Sequence, residues 1–241
     1  MNFPDIPRLY DTINATWPAL SVRRHEGWDI RNGAGGGKRA SAATLAQESI
    51  ADIAVAELAM LALGQTKLFM IRQNDTELDM ALAARGYEII DPVTFYVCEN
   101  AALVPEILPR AQSYAIWEPL QVMREIWAAG GITPERIELM HRVQGPKTGL
   151  LARSADTPAG AAFLALDGDI AMIHAVEVLD SFRRTGVARK LMAQAAKWAQ
   201  DNGANYMSLM TTTHNAAANE LYLSMGMIPA GTYHYRIKES A

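Results

Sequence analysis

The sequence predicts an α/β (α+β) protein in which a mixed central sheet is flanked by helices. Three observations lead to this class. Apolar strand-like runs alternate with amphipathic helical segments along the whole chain. One strand-to-helix junction, residues 178–189, concentrates arginines around a glycine. A shift of 140 residues also brings the two halves of the chain into the same order of segments, which predicts an internal repeat.

In the first half, breaker residues separate short periodic segments. Trp17 precedes a proline and therefore ends the first helix, and Gly86 ends another. The glycine-rich stretch before Lys38 is not a phosphate-binding P-loop, because Asn32 replaces its first glycine and Arg39 its serine or threonine. The predicted elements are a helix over 4–16, a strand over 28–31, a turn over 32–37, a short strand over 39–44, a helix over 48–63, a strand over 68–72, a helix over 75–85 and strand material over 87–99.

Residues 101–109 are bracketed by Pro105 and Pro109 and predict a linker, so we divide the chain into domains 1–104 and 105–241. In the second domain, prolines near the first turn of two segments favour helices, and Asp167-Gly168 predicts a hairpin turn. The predicted elements there are helices over 119–129, 134–143, 185–201 and 215–224, and strands over 148–153, 159–167, 169–178, 206–211 and 227–237.

Composition narrows the class of protein. The chain has 241 residues, half of them hydrophobic and a fifth charged, as in an ordinary soluble protein. Its net charge of −4 does not favour nucleic acid or an anionic membrane as a partner. The single cysteine, Cys98, excludes an internal disulfide framework and a multi-cysteine metal site. Without a signal-like N-terminus or a long apolar window, we expect a cytoplasmic protein that holds no metal and does not span a membrane.

The junction at residues 178–189 has the composition of an anion-binding site. A helix N-terminus presents unpaired backbone N–H groups and the positive end of the helix dipole. Gly186 and the small Ala188 leave room near these groups, while Arg183, Arg184 and Arg189 add positive charge. The junction therefore predicts a cradle for a phosphate or pyrophosphate.

Two sequence blocks resemble the GNAT superfamily of N-acetyltransferases. Arg183-Arg184-Thr185-Gly186-Val187-Ala188 matches the pattern Arg/Gln-x-x-Gly-x-Gly/Ala, with which the family holds the pyrophosphate of acetyl-CoA. Asn215-x-x-Ala218-x-x-Leu221-Tyr222-x-x-x-Gly226-Met227 is similar to a later helix motif of the family, with Met227 in place of the usual phenylalanine. The resemblance implies a GNAT fold in the C-terminal half and transfer of an acetyl group from acetyl-CoA to a primary amine, by direct attack in a ternary complex. The alternative is a catalytically silent module that binds acyl-CoA or regulates a partner.

The resemblance also implies roles for individual residues. The backbone N–H of Val176 would polarise the acetyl carbonyl, that of Val178 would hold the pantetheine arm, and Tyr222 would protonate the departing thiolate. Asn215 is expected to cap its helix and to contact the coenzyme. The full set implied to contact the coenzyme is Val176, Val178, Arg183, Arg184, Thr185, Gly186, Val187, Ala188, Arg189, Asn215 and Tyr222.

Three candidates can take the proton from the amine: His174, Glu177 or a bound water. Strand alternation places His174 on the same sheet face as Val178 and Glu177 on the opposite face. The aralkylamine N-acetyltransferases resemble this stretch and carry a histidine at the spacing of His174, and a free histidine titrates near neutral pH. We therefore predict His174 as the catalytic base, with Glu177 and water as the alternatives.

In the register of the repeat, the first half lacks the residues of the cradle. The positions equivalent to Arg183, Arg184, Gly186, Ala188 and Tyr222 hold Ala43, Thr44, Ala46, Glu48 and Leu82. A carboxylate at Glu48 would repel a phosphate, so we expect one coenzyme per chain. This half resembles the degenerate first half of two-domain GNAT proteins, which carry a similar Trp-x-x-Arg pattern followed by Lys/Arg-Arg-Ala-x-Ser, although chance similarity of two α/β units is the alternative. The acceptor amine stays open, as does the choice between monomer and homodimer.

Overall fold

The computed structural model describes residues 3–46, 51–104 and 112–238. Its helices are α1 (Ile6–Thr16), α2 (Lys38–Ser41), α3 (Ile53–Ala62), α4 (Thr76–Ala84), α5 (Gln121–Ala129), α6 (Pro134–Arg142), α7 (Val187–Asp201) and α8 (Ala216–Ser224). Its strands are β1 (Ser21–His25), β2 (Trp28–Asn32), β3 (Thr44–Leu45), β4 (Lys67–Arg72), β5 (Glu88–Glu99), β6 (Ser113–Ile116), β7 (Lys147–Ser154), β8 (Thr157–Asp167), β9 (Ile170–Val178), β10 (Tyr206–Thr212) and β11 (Ile228–Lys238).

Eight strands form one mixed sheet in the order β4-β11-β5-β10-β9-β8-β7-β6, and β1, β2 and β3 form a separate three-stranded sheet. In the large sheet, β9 and β10 are parallel and the other neighbouring strands are antiparallel. Helix α7 packs against β6 to β9, whereas α1 and α5 pack against β8 and β9. The predicted class, a mixed central sheet flanked by helices, is confirmed.

Strand β8 is covered by helices on both faces of the sheet. Ala162 and Leu164 pack in the buried cluster that contains α7, while Ala161 and Phe163 pack in the cluster that contains α5. Successive side chains of a strand point to opposite faces, so a strand covered on both sides needs apolar residues at every position. Each fully buried leucine or phenylalanine contributes roughly 1.5–3 kcal/mol, which holds α5 and α7 against the centre of the sheet.

The two halves of the chain contribute alternating strands to one end of the large sheet. Strand β11, from the second half, lies between β4 and β5 of the first half, and β5 in turn pairs with β10. The halves are therefore joined by backbone hydrogen bonds as well as by side-chain packing. A domain boundary between residues 104 and 105 stays a prediction, and residues 105–109 of the predicted linker lie outside the described residues.

The internal repeat is visible in the order and spacing of the elements. Helices α4 and α8 begin 140 residues apart, and the strands that follow them, β5 and β11, also begin 140 residues apart. Gly86 and Gly226 follow the two helices with φ angles of 78° and 82°. These angles lie in the left-handed region that glycine adopts readily, so both helices end in the same way. The elements predicted in this part of each half are confirmed.

The structure corrects the prediction of a short strand over residues 39–44. Residues 38–41 form helix α2 instead, and the extended segment is limited to Thr44–Leu45. Gly37 has a φ of 89°, which turns the chain into this helix, and the hydroxyl of Ser41 donates to the carbonyl of Gly37. A four-residue helix is too short to produce a periodic hydrophobic pattern, so the sequence could not predict it.

Three further details differ from the sequence prediction. Strands β1 and β6 are not predicted by the sequence, and β1 is exposed at most positions, so it shows no apolar alternation. The helix predicted over 48–63 begins later than predicted: α3 starts at Ile53, and its N-cap Asp52 accepts a hydrogen bond from the Ala54 N–H at 2.9 Å. Glu48, which motivated the expectation of a single coenzyme per chain, lies outside the described residues.

Candidate active site

A gap in the large sheet forms the site. Strands β9 and β10 pair in parallel only where residues 170–172 meet residues 206–208. Beyond this point they separate, while β10 continues to pair with β5 as far as Thr212. The gap opens into a cleft of about 1100 Å³, which is lined by the second half of β9, the end of β10, the first turn of α7 and residues along the whole of α8. The cleft therefore lies at the carboxyl ends of two parallel strands, where ligands commonly bind in α/β proteins.

A β-bulge interrupts β9 on the wall of this cleft. On β8, Ala161 pairs with Glu177 and Phe163 pairs with His174, so β9 has one more residue than β8 between these two pairs. Ala175 has a φ of 49°, which is unusual for a residue with a side chain. The indole N–H of Trp127 donates to the carbonyl of Ala175 at 2.9 Å and holds this conformation. The bulge releases the backbone next to Val176 from the regular ladder with β8. It also breaks the strand alternation, so the predicted placement of His174 with Val178 is wrong: His174 and Glu177 both lie on the side of α5, and Val178 packs in the cluster of α7.

The anion loop, residues 179–186, connects β9 to α7 at one end of the cleft. Arg184 and Gly186 have φ angles of 64° and 85°, and the N-cap position of α7, Gly186, makes no side-chain capping hydrogen bond. A Cβ added to Gly186 would meet no atom within 4 Å, so its backbone angle, and not crowding, requires glycine. The first N–H groups of a 15-residue helix are thus left open to the cleft.

The three arginines around the anion loop have different partners. Arg183 forms ion pairs with Asp180 at 2.8 Å and with Glu177 at 3.6 Å. Arg189 donates to the hydroxyl of Ser224 at 2.6 Å. Within the described residues, Arg184 has neither an ion pair nor a side-chain hydrogen bond. Its charge is therefore the one most available to a bound phosphate, a difference that the sequence pattern does not reveal.

Helix α8 forms the opposite wall of the cleft. Asn215 caps this helix, as predicted, by accepting a hydrogen bond from the Ala218 N–H at 3.2 Å. Tyr222 also lines the cleft, and its ring packs against Tyr96 with centroids 5.9 Å apart. Burial raises the pKa of Tyr222 to about 12. Its hydroxyl has no hydrogen-bond partner among the described residues, so it is free to donate to a ligand in the cleft.

His174 lies at the other end of the cleft, where the second half of the chain meets the first. The ring is only 3% exposed and lies between Trp17 and Phe163. Its Nδ1 is 3.1 Å from the Nη1 of Arg39, and its Nε2 is 2.9 Å from the hydroxyl of Thr16. Arginine only donates, so Nδ1 accepts and Nε2–H donates to Thr16, whose hydroxyl donates in turn to the carbonyl of Thr12 at 2.6 Å.

This network keeps the imidazole neutral. Burial lowers the pKa of His174 well below 6.5, and the charge of Arg39 lowers it further. Both ring nitrogens are engaged, so His174 can accept a proton only after Arg39 releases Nδ1. Its role as the base stays a prediction with that condition attached.

Glu177 has a different environment. Its side chain is 18% exposed, it lines the cleft, and it packs against Gly130 at the end of α5. Burial raises the pKa of the carboxyl group, and the nearby Arg183 opposes this shift. A carboxylate of raised pKa in a cleft is a reasonable proton acceptor, so Glu177 stays beside His174 and water as a candidate base.

The sequence did not place Arg39 or Thr16 at the site. Both belong to the first half, on α2 and at the end of α1, and they reach His174 across 135 and 158 residues of sequence. The Arg-Arg-Ala-like pattern at Lys38-Arg39-Ala40 marked this segment as similar to other two-domain proteins but assigned it no role. The site is therefore built from both halves of the chain.

Three further observations, on the cysteine, on metal ligands and on membrane spans, bear on the remaining predictions. Cys98 is buried, and burial raises the pKa of its thiol to about 12, as for a packed residue and not a nucleophile. Among the described residues, no three His, Cys, Asp or Glu side chains are grouped to hold a metal ion. No helix of the described chain is long and apolar enough to cross a membrane.

Comparisons with known proteins find similar sequences and folds. Residues 116–227 match the sequence model of the family described as Acetyltransferase (GNAT) family. The chain is 27% identical to the Uncharacterized N-acetyltransferase YobR from Bacillus subtilis (strain 168), over 97% of this chain and 99% of the relative. Its fold is similar to that of a GCN5-related N-acetyltransferase from Kribbella flavida, with a TM-score of 0.72, 19% identity and coverage of 99% of this chain and 98% of that chain. It is also similar to a tandem GNAT protein from the clavulanic acid biosynthesis pathway, with a TM-score of 0.61, 11% identity and coverage of 97% and 89%.

Proposed function

We propose that this protein, whose residues 116–227 match the GNAT acetyltransferase family, transfers the acetyl group of acetyl-CoA to a primary amine by direct attack in a ternary complex. The observation that carries the proposal is the single cleft between β9 and β10. It joins a helix N-terminus without a side-chain cap, a backbone bulge and a tyrosine hydroxyl that has no hydrogen-bond partner among the described residues. These are the parts that acetyl transfer requires: an anion site, a carbonyl site and a group that stabilises the leaving thiolate.

The coenzyme fits the cleft in one direction. Its pyrophosphate would lie on the N–H groups that begin α7, beside Arg184, because that end holds open donors and positive charge. The pantetheine arm would then follow β9 past Val178, and the acetyl carbonyl would accept from the Val176 N–H near the bulge. This order places the thioester near the middle of the cleft and leaves the His174 end for the amine.

The reaction forms one bond and breaks another. The amine nitrogen attacks the thioester carbon, the carbon–sulfur bond breaks, the nitrogen loses a proton and the sulfur leaves as thiolate and gains one. A phenol with a pKa of about 12 is a poor acid towards a thiolate whose conjugate acid titrates near 8.5. Full transfer would be uphill by roughly 5 kcal/mol. We therefore assign Tyr222 the role of hydrogen-bond donor to the developing thiolate, with solvent completing the protonation.

The proton of the amine can leave by three routes. Glu177 offers a carboxylate in the cleft, and a water beside it is equally compatible with the space. His174 offers a neutral imidazole, but only when Arg39 no longer donates to Nδ1. Replacing Glu177 and His174 separately by glutamine would separate these routes, since the true base should lower kcat while leaving acetyl-CoA binding intact.

The direct test is release of free thiol from acetyl-CoA in the presence of a panel of primary amines. We expect at least one amine to accelerate thiol release and to yield its N-acetyl product. We also expect that acetyl-CoA binding, measured by calorimetry, is lost when Arg184 is replaced by glutamate. Tight binding without transfer to any amine would instead support the catalytically silent module.

A further inference from the structure

Arg39 brings an unpaired charge to the far end of the cleft. It is half-buried, it lines the cleft, and its Cζ lies 5.5 Å from the centroid of the Trp17 ring. A guanidinium has five N–H donors, and the one hydrogen bond that Arg39 makes within the described chain goes to Nδ1 of His174. It forms no ion pair with any described carboxylate. A cation held in place with most of its donors unused is ready to bind an anion.

The surroundings of Arg39 are also positive. Arg136 of α6 lies near Arg39. Burial lowers the pKa of Arg136, and the charge of Arg39 lowers it further. Arg136 has no ion pair among the described residues. The neighbouring carboxylate, Asp91, is already paired with Lys38. The other titratable groups that respond to the charge of Arg39 are His174, Tyr233 and Tyr235, none of which is an anion at neutral pH. No described carboxylate therefore neutralises this end of the cleft.

We propose that Arg39 binds a carboxylate of the acceptor, so that the acceptor is a small amine that also carries a carboxylate, such as an amino acid. This inference rests on the proposed acetyl transfer. The coenzyme would occupy the end of the cleft near the anion loop, so the amine must approach from the end where Arg39 lies. The planar fork of the guanidinium matches a carboxylate with two parallel hydrogen bonds and would fix the direction of the amine.

Carboxylate binding would also change the state of His174. The N–H that Arg39 donates to Nδ1 is one of the donors that a bound carboxylate would attract. When that N–H turns to the ligand, the lone pair on Nδ1 becomes available to accept a proton. The acceptor would thus bind Arg39 and release a base in the same step, whereas an amine without a carboxylate would leave His174 engaged.

The test compares amino acids with the corresponding carboxamides and decarboxylated amines as acceptors, with rates normalised to the free-amine fraction. For the wild-type protein we expect kcat/KM to favour the carboxylate form by about 10- to 100-fold. R39Q should bring the members of each set within about 3-fold of one another, and R39K should retain part of the preference because it keeps the charge and loses the fork. R23Q, which neutralises an exposed arginine of β1 that does not line the cleft, is the matched control and should keep the wild-type preference.

Two results would overturn the assignment. One is a wild-type protein that acetylates amines without preferring a carboxylate, and the other is an R39Q protein that loses all acceptors equally. If no amine is acetylated, the proposed function fails, and binding then tests Arg39 separately. Calorimetry with N-acetyl amino acids and their amides on the CoA-loaded protein should show a carboxylate preference in the wild type and none in R39Q. Equal binding of the two forms by the wild type would overturn the role of Arg39 as well.

Discussion

The two halves of the chain share an element order but differ at the place where the second half has its cleft. In the second half, the anion loop and the start of α8 face each other across open space. In the first half, Arg72 links the described equivalents of these segments. Its guanidinium pairs with Asp75, which precedes α4, at 3.0 Å and donates to the carbonyl of Leu45 at 2.9 Å. The second half has an open cleft at this place, and the first half has an arginine that joins the two segments.

A second difference concerns the residue that faces the sulfur in the proposed reaction. Tyr222 presents its hydroxyl to the cleft, whereas the equivalent Leu82 is fully buried in a cluster with Trp28 and Phe69. Apolar packing maintains the fold in both halves, and a few polar positions decide whether a ligand can enter. The first half contributes to the cleft of the second half in another way, because its Arg39 and Thr16 hydrogen-bond to His174.

The largest expected effect is on coenzyme binding. Replacing Arg184 and Gly186 together by glutamate places two carboxylates at the start of α7 and imposes a strained φ on position 186. We expect acetyl-CoA affinity to fall by at least about 10²-fold, because the variant loses the charged contact of Arg184 with the pyrophosphate and adds negative charges that repel it. Calorimetry measures the loss. Arg23→Glu, an exposed charge reversal on β1 of the first half, is the control and should bind normally; equal losses would remove the site from the second half.

The next effect is on turnover. Tyr222→Phe keeps the ring packed against Tyr96 and removes the hydroxyl, so we expect kcat to fall by about 10²-fold while the Kd of acetyl-CoA changes little. Tyr87→Phe is the matched control in the first half, because that hydroxyl bonds to Glu57 away from the cleft. If kcat of Tyr222→Phe stays within about 3-fold of wild type while chemistry limits the rate, the tyrosine only packs.

A smaller effect is expected in the pH dependence of the free energy of unfolding. It arises from His174, where the two halves of the chain meet. The folded-state pKa of this residue is lowered, so the unfolded chain binds more protons below pH ~6.5. Stability is therefore complete above that pH and falls on acidification, with a slope of up to about 1.4 kcal/mol per pH unit from this one group. Denaturant unfolding at pH 7, 6 and 5 measures it. His174→Gln should flatten the slope and His214→Gln, on the surface, should not; a slope unchanged by both would remove the buried histidine as its source.

The smallest expected effect tests the contacts of Arg72 in the first half. Arg72→Ala removes the hydrogen bond to Leu45 and the ion pair of Asp75, which within the described residues keeps only the hydrogen bond from the backbone N–H of residue 72. We therefore expect a loss of about 1–2 kcal/mol in the free energy of unfolding. Acetyl-CoA should still bind with a stoichiometry of one per chain. The equivalent change in the second half, Thr212→Ala, removes a hydroxyl without a described partner and should cost under about 0.5 kcal/mol. Two coenzymes bound per wild-type chain would show that the first half is still a binding unit.

Much of this protein is determined by local sequence. The helix that begins at the anion loop, the cap at Asn215 and the turn at Gly86 depend on residues within one or two turns of each other, so spacing and residue type predict them. The apolar run of β8 predicts a strand in the same way, and the structure shows that strand covered on both faces. The two GNAT-like blocks lie on such elements, which is why they were found without a structure.

The tertiary structure alone decided what surrounds these elements. The insertion of β11 between β4 and β5, and the meeting of Arg39 and Thr16 with His174, join residues more than 130 positions apart. No periodicity carries such contacts, because they depend on how whole elements pack. The protonation state of His174 follows from the same packing: a histidine that the sequence presents as a free base is buried, neutral and engaged at both nitrogens. Its availability to a substrate is therefore set by the first half of the chain, not by its own position on β9.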